Sequence, residues 1–361
     1  MTLTTQVNEG LLMISTENFS KRLLGYNITD CEVRRKGFFY FVAREDYTQW
    51  TDWKDRGESP SEKSLYKRII TFIQDKEPGR QWGHGRLRGF SRITSGISNH
   101  PKEQFIAGSM NGQIYVLGGG DDEIENGVSD QLRGILTDFR NIGGALYVAG
   151  SGRVAGVRQG KNKWKWLTPD VPFDMSTEAL SAGFDVIDGF SQQDVYAAGG
   201  KGDVWHCNGK VWRRVDFPSN VAIKAMCCGA GGRAYISGYE GLTFVGREDS
   251  WKPVKKREVI PLGFKDMVWY EDRVWCTNDS GVWWIINDEI VPADIPAFAK
   301  VSSGNLSARD GVLLLAGFFG AAYLENGQWN KIFNYGEMVE RCKAEGLYEG
   351  ALQARWHEFK D

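Results

Sequence analysis

The side chains best suited to metal or nucleophilic chemistry are scattered along the sequence. None of the four histidines (His84, His100, His206 and His357) falls into an HxH or HExxH pattern or into the Cys/His spacing of zinc sites. The six cysteines follow no CxxC or disulfide-scaffold spacing. The adjacent Cys227 and Cys228 lie in an apolar run, where cysteine packs as a small hydrophobe. The sequence therefore predicts no metal site, no cofactor and reduced cysteines.

The motifs of phosphate binding and acyl transfer are also missing. There is no GxSxG or P-loop pattern, and the glycines at 118–120 precede Asp121 and Asp122 instead of a helix start. The segment 277–284, Thr-Asn-Asp-Ser-Gly-Val-Trp-Trp, resembles the Asp-box turn of sialidase-like propellers. In that family the box is a structural turn away from the catalytic centre. We therefore predict that the protein is not an enzyme, and keep a carbohydrate-binding or sialidase-like propeller as a third possibility.

Charge and composition argue against a nucleic-acid or membrane partner. The 361 residues carry a formal net charge of −2, and the basic-aromatic segments at 80–88 and 251–257 are short. We interpret both segments as solvated loops. The first residues show no basic region followed by an apolar one, and no apolar run approaches the length needed to span a bilayer. A reducing cytoplasm is the expected location.

A repeat of about 40 residues organises most of the sequence. Its clearest copies are Leu146–Gly150, Val195–Gly199 and Ala234–Gly238, each an apolar run that ends in a small residue and glycine. Weaker copies place the equivalent alanine or its substitute at 107, 277 and 316. A second glycine and another apolar run follow each copy, and a tryptophan closes four of them, at 164, 212, 251 and 329. Three features with one shared period indicate a repeat architecture.

The repeat predicts an all-β fold, a seven-bladed β-propeller of four-stranded antiparallel blades. Apolar runs of four to six residues bounded by turn residues are typical of strands buried on both faces, and one blade cannot bury both of its faces alone. The run 37–43 supplies the seventh copy if residues 45–63 are an insertion in the first blade. Six blades with a separate N-terminal domain remain the alternative. We expect an extension at 1–30 with a strand near 11–15, the propeller at 31–333, and a C-terminal helix at 334–361 that bends near Gly346 and Gly350.

A propeller places the connections after its second and fourth strands at the same face, where apolar or charged side chains indicate a binding surface. Large aromatic side chains surrounded by charge are common anchors of protein interfaces. An acidic surface would complement a cationic partner. In the alternative, the aromatic side chains fold over the blades as lids. The candidate partner-binding residues are Glu45, Asp46, Tyr47, Trp50, Trp53, Met110, Asp121, Asp122, Glu123, Glu125, Tyr239, Phe318 and Phe319.

The repeat unit, apolar-Ala-Gly-x-x-Gly followed by Asn-Gly-x-x-Trp, is similar to bacterial WD40-like and photosystem-assembly-factor-like propellers over residues 100–333. The overall character, with degenerate repeats, no catalytic set and an aromatic-acidic loop, resembles the immunity proteins of contact-dependent, Rhs-type toxins. That resemblance implies a monomer that forms a 1:1 complex with a cognate toxin and occludes its catalytic domain. Toxins of this kind are typically ADP-ribosyltransferases or nucleases with cationic clefts. A general protein-assembly scaffold is the main alternative.

Overall fold

The structure, a computed structural model, describes residues 13–49, 59–179 and 181–351 and is built mainly from β-strands. Seven sheets follow one another along the chain, and each takes four antiparallel strands in sequence order from one continuous segment. The chain is therefore a seven-bladed β-propeller, as the repeat predicts. The predicted repeat copies are the second strands of the seven blades.

The strands fall into seven consecutive groups. Blades 1 and 2 contain β1 (Tyr26–Arg35), β2 (Phe38–Glu45), β3 (Lys67–Ile73), β4 (Trp82–Leu87), β5 (Ile93–Ser98), β6 (Gln104–Ser109), β7 (Ile114–Gly118) and β8 (Asp121–Glu125). Blades 3 and 4 contain β9 (Leu136–Ile142), β10 (Ala145–Gly150), β11 (Val154–Gly160), β12 (Lys163–Trp166), β13 (Val186–Ser191), β14 (Asp194–Gly199), β15 (Asp203–Cys207) and β16 (Trp212–Arg214). Blades 5 to 7 contain β17 (Ile223–Gly229), β18 (Arg233–Gly238), β19 (Thr243–Arg247), β20 (Ser250–Pro253), β21 (Lys255–Lys256), β22 (Asp266–Tyr270), β23 (Arg273–Asn278), β24 (Gly281–Ile286), β25 (Glu289–Pro292), β26 (Asn305–Arg309), β27 (Val312–Gly317), β28 (Gly320–Glu325) and β29 (Gln328–Asn334).

Blade 6 differs from the others because it has a fifth strand. The short β21 lies on the connection from blade 5 and pairs in parallel with β25, the fourth strand of blade 6. The connection thus runs along the outer edge of blade 6 before the chain enters the blade's first strand. Blade 1 has a different irregularity, since residues 46–66 separate its second and third strands.

The described residues form two compact units. The first contains the residues up to Phe90 and those from Asp294 onward, and so holds blades 1 and 7. The second runs from Ser91 to Ala293 and holds blades 2 to 6. The four short helices are α1 (Thr16–Arg22), α2 (Met175–Glu178), α3 (Ala297–Lys300) and α4 (Tyr335–Ala344). Within the described ranges, no helix has the length and apolarity required to cross a membrane.

In the first unit, the chain before blade 1 is helical. The expected strand near 11–15 is wrong for its described residues, because the oxygen of Ser15 caps α1 by accepting from the backbone N–H of Asn18 at 3.2 Å. Helix α1 packs against α4, where Thr16 donates to Glu345 at 2.5 Å. Helix α4 begins after the cap residue Asn334 and breaks at Gly346, which has a φ of 69°. The predicted break at Gly346 is confirmed, whereas the residues that follow, with Gly350 among them, are helical again.

The repeated tryptophans contact aromatic side chains at the entry of their own blades, and Trp251 also contacts Tyr196 of blade 4 edge-on at 6.2 Å. Trp212, on the fourth strand of blade 4, stacks on Phe184 with ring centroids 5.6 Å apart. Trp251, in the same position in blade 5, contacts Phe217 edge-on at 5.3 Å. Each phenylalanine lies just before the first strand of its blade. The aromatic pairs therefore join the outer strand to the entry of the blade, which explains why tryptophan recurs with the repeat.

Carboxylates on the first strands join neighbouring blades of the second unit. Asp138 on β9 accepts from the backbone N–H of Ile187 on β13 at 3.0 Å. Asp188 on β13 accepts from the backbone N–H of Cys228 on β17 at 2.7 Å. The first strands of neighbouring blades belong to separate sheets and share no backbone ladder. Each carboxylate thus joins two blades through a side-chain-to-backbone hydrogen bond.

Candidate protein-binding surface

Strand order defines two ends of every blade. Because the four strands alternate in direction, the connection after the second strand and the connection leaving the fourth strand emerge at the same end, which we call the upper end. The connections after the first and third strands lie at the lower end. In the second unit, upper-end segments of adjacent blades are bonded together. Met110, for example, accepts from the N–H of Leu136 and donates to the carbonyl of Arg92, both at 2.9 Å.

Exposed apolar side chains concentrate at the upper ends. Ten large apolar side chains are exposed among the described residues. Eight of them lie on upper-end segments: Ile135, Met175, Tyr239, Leu242, Val259, Leu262, Val301 and Phe319. Of the other two, Ile124 lies on an outer strand and Val211 on a lower-end turn. Because exposed apolar side chains commonly mark an interaction site, the upper-end segments of each unit are candidate binding surfaces.

The largest group of these side chains lies between blades 5 and 6. Tyr239, Leu242, Val259 and Leu262, which we call the Tyr239 patch, are 58%, 36%, 86% and 53% exposed. Tyr239 and Leu242 flank the turn between β18 and β19, and the other two lie on the connection to blade 6. The two segments touch, because a Cβ placed on Gly263 would lie 3.4 Å from the Cα of Tyr239.

A buried ionic cluster fixes a second upper-end segment, the connection between blades 3 and 4. The guanidinium of Arg153 donates to Asp203 at 2.8 Å, to Glu178 at 2.7 Å and to the carbonyl of Pro172 at 2.5 Å. Burial opposes the charge of Arg153, but the hydrogen bonds and charges of the two carboxylates raise its pKa overall. The connection that carries exposed Met175 is therefore held in one place despite its length.

The first unit contributes its own exposed aromatic side chain. Phe319, on the turn between β27 and β28, is 59% exposed, and the adjacent Phe318 is half-buried. The carbonyl of Phe319 accepts from the N–H of Tyr335 at 2.9 Å, which fixes the turn against the start of α4. Tyr47 is half-buried and donates to Ser59 at 3.4 Å.

Two predicted aromatic anchors lie outside the described residues. Trp50 and Trp53 belong to the long connection between β2 and β3, and the structure describes that connection only at its two ends. Their role in binding stays a prediction from the sequence.

The predicted acidic loop at 121–125 is wrong, because these residues form β8. The glycines at 118–120 all have positive φ and make the tight lower-end turn that starts this strand. Asp121 and Glu123 pair with Lys102 and Lys161, both at 2.6 Å. Acidic residues are uncommon in strands, which is why the segment reads as a loop.

The remaining acidic candidates are also bonded within the chain. Asp122 accepts from the hydroxyl of Tyr115 at 2.6 Å, and Glu125 is buried against Arg158. Glu45 is only 3% exposed, and its carboxylate accepts from the N–H of Tyr66 at 3.1 Å. The predicted acidic surface is therefore wrong for Glu45 and Glu125, whose side chains are buried.

The remaining acidic candidate, Asp46, bonds locally. Its carboxylate accepts from the backbone N–H of Thr48 at 3.1 Å and from the hydroxyl of Thr48 at 2.6 Å. Asp46 is half-buried. These two hydrogen bonds stabilise the short turn after β2.

Reactive side chains are held in unreactive environments. Burial raises the pKa of the Cys227, Cys228 and Cys276 thiols well above the ordinary value, so they stay protonated. His84 is exposed at the surface, and partial desolvation of its ring together with the charges of nearby arginines lowers its pKa to about 4. Among the described residues, no three His, Cys, Asp or Glu side chains are arranged to hold a metal ion.

Sequence reasoning missed three members of the Tyr239 patch. Val259 and Leu262 stand on either side of buried Ile260 in a segment that otherwise reads as a basic loop. The sequence contains a signal for this exposure. The run Val-Ile-Pro-Leu at 259–262 is apolar, but its proline argues against a central strand, where apolar side chains would be buried. Leu242 follows the turn glycine Gly241. The reasoning that selected Tyr239 as a turn residue could therefore have selected Leu242 as well.

The sequence is similar to that of a known immune protein. The chain is 25% identical to the Immune protein Tsi7 of Pseudomonas aeruginosa over 245 residues, which cover 66% of this chain and 79% of that protein. No protein-family model matches the sequence. The similarity extends over most of both proteins.

Solved structures confirm the fold. The WD40 β-propeller domain of Doa1 superposes with a TM-score of 0.56 at 11% identity, covering 82% of this chain and 91% of that domain. Virginiamycin B lyase from Staphylococcus aureus superposes with a TM-score of 0.50 at 12% identity, covering 66% and 83%. One of these is a domain without a stated activity and the other is a lyase, so the fold alone does not separate binding from catalysis.

Proposed function

We propose that this chain is a non-catalytic immunity protein that binds a cognate toxin and occludes the toxin's catalytic domain. The single observation that carries the proposal is the similarity to an immune protein along most of both sequences. The geometry supports a binding role, because eight of the ten exposed large apolar side chains lie at the upper ends of their blades.

The toxin class follows from the resemblance noted in the sequence. ADP-ribosyltransferases and nucleases are the first toxins to test. Their cationic clefts were expected to meet an acidic surface, but Glu45 and Glu125 are buried, and Asp121 and Glu123 pair with lysines of this chain. The proposal therefore relies on apolar upper-end contacts and does not require an acidic surface.

Co-purification tests the proposal directly. The tagged full chain is recovered from its native cell, the bound protein is identified, and its activity is measured with and without the chain. We expect a 1:1 complex with a toxin whose activity the chain abolishes. A bound protein without toxin activity would support the assembly-scaffold alternative instead, and turnover of a glycoside by the chain itself would support the carbohydrate-active one.

The long connection in blade 1 provides a second test. Trp50 and Trp53 together replaced by alanine should weaken toxin binding by several kcal/mol, given about 2 kcal/mol or more for each buried hot-spot aromatic. The thermal midpoint should not change, because the substitutions fall outside the blade strands. Unchanged affinity would remove this connection from the binding surface, and a large fall in the midpoint would place the tryptophans in the core.

A further inference from the structure

We propose that the Tyr239 patch is a docking site for a protein segment that presents an apolar side chain flanked by carboxylates. The inference rests on the proposed function and names the surface of the toxin that this part of the chain contacts. It differs from the sequence-based expectation in two ways. The site lies between blades 5 and 6, not in blade 1, and its partner surface is acidic, not cationic.

The patch is held rigidly by buried neighbours. Ile260, between the exposed Val259 and Leu262, is 1% exposed and packs on Gly241, where an added Cβ would lie 2.7 Å from the Cδ1 of Ile260. Gly241 has a φ of 64°, so the turn beside Tyr239 needs glycine both for its conformation and for this contact. The connection is bonded to blade 6 as well, through the carbonyl of Leu262, which accepts from Asn278 at 3.1 Å.

Rigid placement matters because it lowers the entropic cost of binding. Side chains that are ordered before the partner arrives lose little conformational freedom when they are buried in an interface. The apolar side chains of the patch have no covering segment among the described residues, yet their backbone is fixed by the buried contacts. A surface with these two properties is preorganised for a partner.

The charge around the patch specifies the partner's chemistry. The connection from 252 to 265 contains five basic residues and one acidic residue, and three of the basic ones, Lys252, Arg257 and Lys265, form ion pairs within the chain. The ammonium of Lys224 lies 5.3 Å from the centre of the Tyr239 ring, and that of Lys256 donates to the carbonyl of Glu240 at 2.9 Å. Neither ammonium forms an ion pair with a carboxylate of the described residues, so each can pair with a carboxylate of the partner.

Two acidic groups near the patch are engaged elsewhere, and a third, Asp185, has a pKa that burial raises and the charge of Lys224 partly lowers. Glu258 accepts from the indole N–H of Trp283 at 2.8 Å, and Asp279 pairs with Lys265 at 3.3 Å. Both carboxylates are thus engaged by groups other than Lys224 and Lys256. An apolar centre with lysines at its edge matches a partner segment of the opposite pattern, in which carboxylates surround an apolar side chain.

The test uses, as the probe, the inactivated catalytic domain of the toxin that co-purification with this chain identifies. Binding is measured for the full-length protein, for Val259→Ser with Leu262→Ser, and for Lys224→Glu with Lys256→Glu. We expect the serine variant to weaken the affinity at least about 30-fold, as for loss of a hot spot. We expect the glutamate variant to lower the association rate about tenfold at low salt and to lose most of its salt dependence.

Matched variants at lower ends control for general effects. Val211→Ser removes another exposed valine, and Lys163→Glu with Lys210→Glu makes the same change of charge. Both should bind as the unmodified protein does. If the unmodified protein fails to bind the toxin, the proposed function itself is overturned. If it binds and the serine variant stays within about threefold, the function stands and the Tyr239 patch is not the docking site.

The glutamate variant separates the two parts of the inference. A slower association that the lower-end charge variant does not show supports the acidic partner. An association rate that rises with Lys224→Glu and Lys256→Glu would show that the partner is cationic at this position and would overturn the assigned chemistry.

Discussion

Arg158 and Glu125 form a bidentate ion pair between blades 3 and 2, with nitrogen–oxygen distances of 2.6 and 2.8 Å and both side chains excluded from solvent. Removing one partner leaves a buried charge without compensation, which typically costs about 3–5 kcal/mol. We expect Glu125→Ala to lower the free energy of unfolding by this amount in urea denaturation. Lys161→Ala, which breaks the exposed neighbouring pair with Glu123, should cost less than about 1 kcal/mol. Equal effects would contradict a structural role for Glu125.

Asp138 should make stability fall as the pH rises. Burial raises the pKa of its carboxyl from 3.8 to about 7, although Arg140 opposes the shift, while Asp188 and Asp266 add to it. Between about pH 4 and pH 7 the folded state binds a proton that the unfolded state releases, so the stabilisation present at low pH is lost as the pH rises through 7. Asp138→Asn should remove this dependence.

Urea midpoints measured from pH 5 to pH 8 check this expectation. His84 has the opposite slope, because its lowered pKa makes the folded state resist protonation as the pH falls below 6.5. The quantity that tests the prediction is therefore the difference in urea midpoint between Asp138→Asn and the unmodified protein at each pH. A constant difference across the range would contradict the prediction.

Arg153 should control the mobility of the connection between blades 3 and 4. Its guanidinium bonds to the carbonyl of Pro172 and to Glu178, on either side of Met175. Arg153→Asn keeps a side chain that tolerates the residue's positive φ of 59° but removes these bonds. We expect faster amide hydrogen exchange across this connection. Arg213→Asn, which breaks an exposed pair with Asp249, is the control and should leave the exchange unchanged.

Gly241 should be needed for the shape of the Tyr239 patch. Alanine there must adopt a left-handed conformation and displace Ile260, whereas alanine at Gly231, with a φ of 70°, meets no atom within 4 Å. The Gly231→Ala variant therefore measures the conformational cost alone, about 1–2 kcal/mol. We expect Gly241→Ala to lose more stability than this in urea denaturation. Equal losses would show that the connection yields to the added methyl group.

The repeat predicted the second strands because each depends on local chemistry, an apolar run that ends in a small residue and a turn glycine. The placement of Asp121 and Glu125 on a strand was not predictable in the same way. Their strand is specified by partners such as Lys102 and Arg158, which are distant in sequence. The exposure of Tyr239 was expected from its turn. Val259 and Leu262 were missed, because their exposure depends on Ile260 packing beneath Gly241.

The pairing of blade 1 with blade 7 has a consequence for synthesis. In the first unit, β1 packs on β26 and β27, and the N–H of Val33 donates to Ser307 at 3.0 Å. Blade 1 is thus complete only when residues almost 300 positions later have been made, whereas blades 3 to 6 can each pack on a neighbour just completed. During translation, the apolar side chains of blade 1 are the ones left longest without their final partner. Chaperone contact with a nascent chain of this protein should therefore concentrate on the strands of blade 1.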